Sequence, residues 1–152
     1  MATVNSSPFI FTHTVDISTE AAARTWAIWN DLMGWSRWDA SLKGTDATGN
    51  GLALGKSFAV IPNGGPGVIT VSVTSLIEGI HFTTTANSPM GLLSFGHTLM
   101  FSEGRQKVQL QHSICAVPAD SGAVLPPPLL EKLRGDVIAS VERLAAFAGH
   151  EE

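Results

Sequence analysis

His97 and His112 are the residues best able to do chemistry, and hairpin arithmetic puts them together. Two strand-like runs, Leu92–Glu103 and Gln106–Val117, flank Gly104-Arg105, and a leading glycine suits the II′ turn of a two-residue hairpin. In that register Phe101 faces Val108, Leu99 faces Leu110, His97 faces His112 and Phe95 faces Ile114. Every pair on this face except the histidines is apolar, which marks it as the inward face. The other face reads Met100, Thr98 and Gly96 against Gln109, Gln111 and Ser113. Two inward imidazoles, with an ordinary pKa of about 6.5, could serve as a general acid and base or orient a ligand. Each could equally be a polar residue of a pocket wall, hydrogen-bonded to Ser, Thr or water. Two such rings side by side and out of water cannot easily both be charged. At least one should therefore stay neutral well below its ordinary pKa, with the pair titrating together.

A second hairpin adds polar points. The turn at Glu78-Gly79 sets Val73 opposite Thr84 and Ser75 opposite Phe82. Ser75 and Thr84 could then hold a carbonyl or hydroxyl on an apolar wall, or simply be strand residues with locally bonded hydroxyls. His81 has the opposite parity and belongs outside. Ala22, Trp26, Trp29 and Met33 fall at helical spacing, which reads as packing. Trp35 and Trp38 follow in a less regular segment and could wall a cavity mouth. Asp31 is expected to cap or pair, and Arg37 and Asp39 to be solvated. There is no G-x-S-x-G elbow. Asn63-Gly64-Gly65-Pro66-Gly67 lacks the lysine and following helix of a phosphate loop, so it reads as a hairpin turn.

The elements that must position these residues are legible from their periods. Phe9, Phe11, His13, Val15 and Ile17 alternate as a half-buried strand does. Ser18 or Thr19 offers an N-cap to a helix reaching about Asn30, and Gly34 ends that helical stripe. Six further strands lie between Ser41 and Val117. Leu130, Leu133, Val137, Val141, Leu144 and Ala148 then form the stripe of a long helix that begins near Pro126-Pro127-Pro128 and stops at Gly149. Gly135 lies opposite that stripe without an evident reason. The order is strand, two short helices, six strands, long helix. That is an α+β fold in which a seven-stranded antiparallel sheet curves around the C-terminal helix.

Composition sets the outer bounds. A chain of 152 residues and 16.0 kDa suggests one domain over 1–152. With 44% hydrophobic and 14% charged residues it should fold around a core rather than remain disordered. Nine basic against thirteen acidic residues exclude a nucleic-acid footprint. No apolar run approaches the roughly 20 residues of a membrane span. Met1–Ser7 carries no signal-peptide pattern, and the single Cys115 excludes an internal disulfide. A cytoplasmic location follows as the simplest expectation.

Trp26-Ala27-Ile28-Trp29-Asn30-Asp31, followed by Trp35 and Trp38, resembles the W-x4-D-x3-W-x2-W signature of START-related polyketide cyclase/dehydrase proteins. These belong to the helix-grip superfamily (SRPBCC) that also holds the Bet v 1 allergens. Leu54-Gly55-Lys56 resembles the glycine found before the third strand in that family, and the element order matches over the whole chain. The resemblance implies an apolar cavity between the sheet and the C-terminal helix. It also implies that the first strand neighbours the last, which brings His13 near His112. Three histidines would meet the count for a metal, but no acidic residue shares their inward parity to orient them. No metal and no cofactor is expected. Expected ligand contacts are His13, Trp35, Trp38, Val73, Ser75, Phe82, Thr84, Phe95, Leu99, Leu110, Leu133 and Val137, with His97 and His112 as the candidate catalytic pair.

Three functions remain open. The leading one is binding of a small hydrophobic ligand, aromatic or polyketide-like, by a monomer or homodimer. The second is a polyketide cyclase or dehydratase using His97 and His112 as general acid and base. The third is a protein-interaction module, which would show an exposed apolar patch over a filled interior.

Overall fold

The computed structural model describes residues 8–64, 67–104, 106–120 and 124–149. Met1–Ser7, Gly65 and Pro66 of the glycine-rich loop and Arg105 of the hairpin turn lie outside them. Strand β1 (Phe9–Ser18) leads into helix α1 (Thr19–Asn30) and a short 3₁₀ helix (Leu32–Arg37). Six strands follow: β2 (Leu42–Asp46), β3 (Ser57–Pro62), β4 (Ile69–Ile77), β5 (His81–Ser88), β6 (Gly91–Met100) and β7 (Lys107–Pro118). Helix α2 (Pro127–Gly149) closes the described chain. The seven strands form one antiparallel sheet in the order β1-β7-β6-β5-β4-β3-β2.

Each boundary has a local cause. Ser18 caps α1, its hydroxyl accepting the Ala21 amide at 3.0 Å. The helix ends at Asn30 because Asp31 adopts φ −90°, ψ 83°, which no helix continues. The stripe that placed Met33 beside Ala22, Trp26 and Trp29 is therefore cut short, and Met33 is exposed. Asn50 restarts the chain from outside: its side-chain oxygen accepts the Leu32 amide at 2.6 Å and the Met33 amide at 3.4 Å. Asp31 holds Asn50 in place at 2.9 Å and takes Arg37 at 2.6 Å. This cluster, together with the bond from Trp35 Nε1 to the Trp29 carbonyl at 2.8 Å, fixes how Trp35 and Trp38 enter the interior.

The register of β6 on β7 pairs His97 with His112, Leu99 with Leu110 and Phe95 with Ile114, as the hairpin arithmetic requires. Phe101 departs from it. Strand β6 leaves the ladder after Met100, Val108 pairs with Ile17 of β1, and Phe101 is exposed. The β4–β5 hairpin keeps Val73 opposite Thr84, but a bulge follows. Ser75 then faces Thr83, and Leu76 faces Phe82. One extra residue on a strand shifts everything beyond it, which removes Ser75 from the place the unbroken register gave it.

Helix α2 buries Leu133, Val137, Val141, Leu144 and Ala148 against the sheet. The buried side chains form two clusters. The larger holds Trp29, Phe82, Leu99, Leu110, Val141 and Leu144. The smaller holds Leu93, Ile114, Ala116, Leu133 and Val137. Gly135 sits on the exposed side of α2, and a Cβ placed there meets no atom within 4 Å. Gly135→Ala should stabilise the protein by roughly 0.5–1 kcal/mol, because alanine loses less backbone freedom in a helix. Scanning calorimetry checks this, and an unchanged or lowered Tm would refute it. Among the described residues no helix is long and apolar enough to cross a membrane.

Candidate functional site

A cavity of about 180 Å³ separates the two clusters. The sheet contributes Val60, Val71, Thr84, Phe95, His97, His112 and Ile114. The first half of α2 contributes Leu133, Val137 and Ser140, and the segment after α1 contributes Trp35 and Trp38. For scale, an apolar cavity of about 150 Å³ accepts benzene.

Of the residues expected from sequence, Trp35, Trp38, Thr84, Phe95, His97, His112, Leu133 and Val137 meet on this wall. The others do not. Val73, Phe82, Leu99 and Leu110 point inward and are buried, but they lie in the filled half of the core. Helix α1 is the reason: Trp29, fully buried, packs edge-on against Phe82 at 5.4 Å and occupies the space above these strands. Ser75 is displaced by the bulge. His13 does pair with His112 across the ladder, but its Nε2 reaches Glu142 of α2 at 3.1 Å, away from the cavity.

The two central imidazoles share their surroundings. Their ring centroids are 4.8 Å apart in an edge-on arrangement. His97 stacks on Phe82 at 4.0 Å and donates from Nδ1 to the Phe82 carbonyl at 3.4 Å. Burial pushes its pKa down to about 3, against that bond and with a smaller push from His81. Burial also holds His112 well below its ordinary value, and His97 adds to the effect. His112 Nδ1 lies 2.9 Å from the Ser140 hydroxyl, which itself donates to the Val137 carbonyl at 3.0 Å. His81 sits on the outer face, between the hydroxyls of Thr83 and Thr98.

Asp39 is not solvated as its sequence neighbours suggested. It lies on the cavity wall, and its Oδ1 accepts the Ser41 amide at 3.0 Å and the Ser41 hydroxyl at 2.6 Å. Burial raises its pKa above the ordinary carboxylate value, and the nearby Asp136 adds to this. The two Ser41 bonds and Lys132 oppose it. Lys132 and Asp136 pair at 2.8 Å and also touch the cavity. Charge is thus confined to Asp39 and one turn of α2, while the rest of the wall is mainly apolar or aromatic, with Ser41, Thr84, Ser113 and Ser140 as neutral polar points. Arg37 reaches Asp31 and lies over the Phe147 ring at 5.3 Å rather than standing free.

Ser140 could have been found from sequence, because it is a polar residue at i+3 from Val137 and i−4 from Leu144 within an apolar stripe. Asp39 could not, because its burial depends on where α2 packs. Among the described residues no three His, Cys, Asp or Glu side chains converge as a metal would need.

No protein-family model matches the sequence, and no curated protein matches it. Solved structures do match. Ara h 8.0201 superposes with a TM-score of 0.67 at 11% identity, covering 93% of this chain and 98% of its own. The Zhui aromatase/cyclase from a Streptomyces species gives 0.68 at 14% identity, over 93% and 94%. XoxI from Bacillus cereus gives 0.67 at 10% identity, over 91% and 94%. With its seven-stranded antiparallel sheet, two short helices after β1 and long C-terminal helix, the chain has the helix-grip fold of the Bet v 1-like proteins.

Proposed function

We propose that the protein binds a small, mainly apolar, aromatic molecule between the sheet and the first half of α2. The observation that carries this is the cavity itself, walled by Trp35, Trp38, Val71, Phe95, Ile114 and Val137, with only a few polar groups. A polar site of that size would hold water, whereas an apolar one favours an apolar guest. A native cavity here also counts against the interaction-module reading, which needs a filled interior. Among the structural neighbours one is described as an aromatase/cyclase, and His97 and His112 lie side by side. Acid–base catalysis is the less favoured reading, since an imidazole with a pKa of about 3 is a poor base at neutral pH and, being neutral, has no imidazolium proton to give. The proposed setting is the cytoplasm, in keeping with a chain that carries a single cysteine.

The test is a titration with p-xylene followed by amide NMR. Saturable shifts should appear at Val71, Phe95, Ile114 and Val137. Val137→Phe, which fills part of the space, should weaken binding at least tenfold. The absence of saturable shifts in the unmodified protein would overturn the proposal.

A further inference from the structure

Asp39 is a charged group on the cavity wall without a counter-ion. The ion pairs among the described residues join His13 to Glu142, Arg37 to Asp31, Lys132 to Asp136 and Arg134 to Glu131, and none includes Asp39. Its carboxyl is used on one side only. Oδ1 takes both Ser41 hydrogen bonds, at 3.0 and 2.6 Å. Oδ2 takes none among the described residues. It is also not one of the unbonded atoms sealed from solvent, which are Trp29 Nε1, Trp38 Nε1 and His112 Nε2. An outside donor can therefore reach it.

The surroundings show from which side. Asp39 and Ser41 line the cavity opposite Lys132 and Asp136 of α2, and the Lys132 side chain, 60% exposed, marks the rim. Both charges of the Lys132–Asp136 pair act on the Asp39 carboxyl, so it lies within range of α2 across the cavity rather than turned away from it. That pair is closed at 2.8 Å, and its two charges largely cancel. One negative charge is left over at the rim. A carboxylate drawn out of water is costly unless it is paired, and this one is already under the strain of burial.

We propose that Asp39 receives the ammonium group of an aromatic amine, so that the preferred ligand is a small arylalkylamine with its ring in the apolar part of the cavity and its nitrogen at the rim. An ammonium brings the missing positive charge and three donors, of which one satisfies Oδ2. The rim leaves the other two in water, so the nitrogen is only partly desolvated. Trp35 and Trp38 line the same cavity, and an indole face attracts a cation. A neutral alcohol supplies a donor without the charge. A carboxylate meets Asp39 and Asp136 as like charges, and the only lysine on the wall is already paired. The inference rests on the binding function proposed above and names its ligand class.

The experiment compares p-xylene, 4-methylbenzylamine, 4-methylbenzyl alcohol and 4-methylbenzoate by calorimetry at neutral pH and low salt, where the amine is a cation and the acid an anion. The amine should bind at least tenfold more tightly than the alcohol, as a charge-assisted hydrogen bond at a part-buried site implies, and the benzoate should bind most weakly. The amine should also move the Asp39 carboxyl carbon resonance, and p-xylene should leave it nearly unmoved. Asp39→Asn keeps an oxygen for the Ser41 bonds. It should bring the amine down to the affinity of the alcohol and leave p-xylene affinity unchanged. Equal affinity for amine and alcohol in the unmodified protein overturns the amine assignment and leaves the binding function standing. So does a preference for the amine that survives in Asp39→Asn, or a benzoate that outbinds the amine. No binding of any of the four overturns both.

Discussion

Moving the protein from about pH 7.5 to about pH 5 should lower its stability by roughly 2 kcal/mol or more. His97 and His112 are the cause. Burial holds His97 at about 3 and His112 well below its ordinary value. In the unfolded chain both return to about 6.5. As pH falls below that value the unfolded chain takes up protons that the fold refuses, so stability is full above it and drains away toward His97's folded value. Each unit costs about 1.4 kcal/mol, which comes to about 2 kcal/mol from His97 alone by pH 5, and His112 adds to the loss in the same direction. Asp39 works the other way, since a raised carboxyl lets the fold protonate before the unfolded chain does. His81, lowered by partial burial, adds a little to the loss. A domain has only about 5–15 kcal/mol in hand, so the change is readily seen in urea unfolding curves. His112→Gln should reduce the pH dependence. Identical unfolding midpoints at the two pH values would mean that the imidazoles are not held neutral.

Tryptophan placed at Leu99 and at Leu133 should have opposite consequences. Both side chains point inward and both are buried, so the alternation of β6 and the stripe of α2 make them look equivalent. Leu99 lies in the filled cluster with Trp29, Phe82 and Leu110. A larger ring there has no room, and Leu99→Trp should cost about 3 kcal/mol or more through displaced neighbours. Leu133 borders the cavity. Leu133→Trp can extend into existing space and should cost less than about 1 kcal/mol, while abolishing p-xylene binding. Thermal unfolding and the same titration separate the cases. If Leu99→Trp proves the milder substitution, the division of the interior into a packed and an open half is wrong.

The sequence by itself determined the elements, their order and the pairing of His97 with His112. Those depend on period and on turn length, which are local, and a one-residue slip would have placed Gln109 and Ser113 opposite Leu99 and Phe95. It also determined that Trp29 belongs to the core and that α2 faces the sheet along Leu133, Val137, Val141 and Leu144. Parity says only which way a side chain points, not whether space remains beneath it. The tertiary structure decided that. Helix α1 descends with Trp29 onto one half of the sheet and fills it, so Val73, Phe82, Leu99 and Leu110 became core while Thr84, Phe95 and Val137 kept open space. The bulge after Val73 turned Ser75 away, and Asn50, far along the chain, caps the 3₁₀ helix that leads Trp35 and Trp38 inward. Asp39 joined the site for the same reason: α2 packs across the sheet at a place no local pattern encodes. A cavity is the space left over when distant elements fail to meet, and only their relative placement can say where that happens.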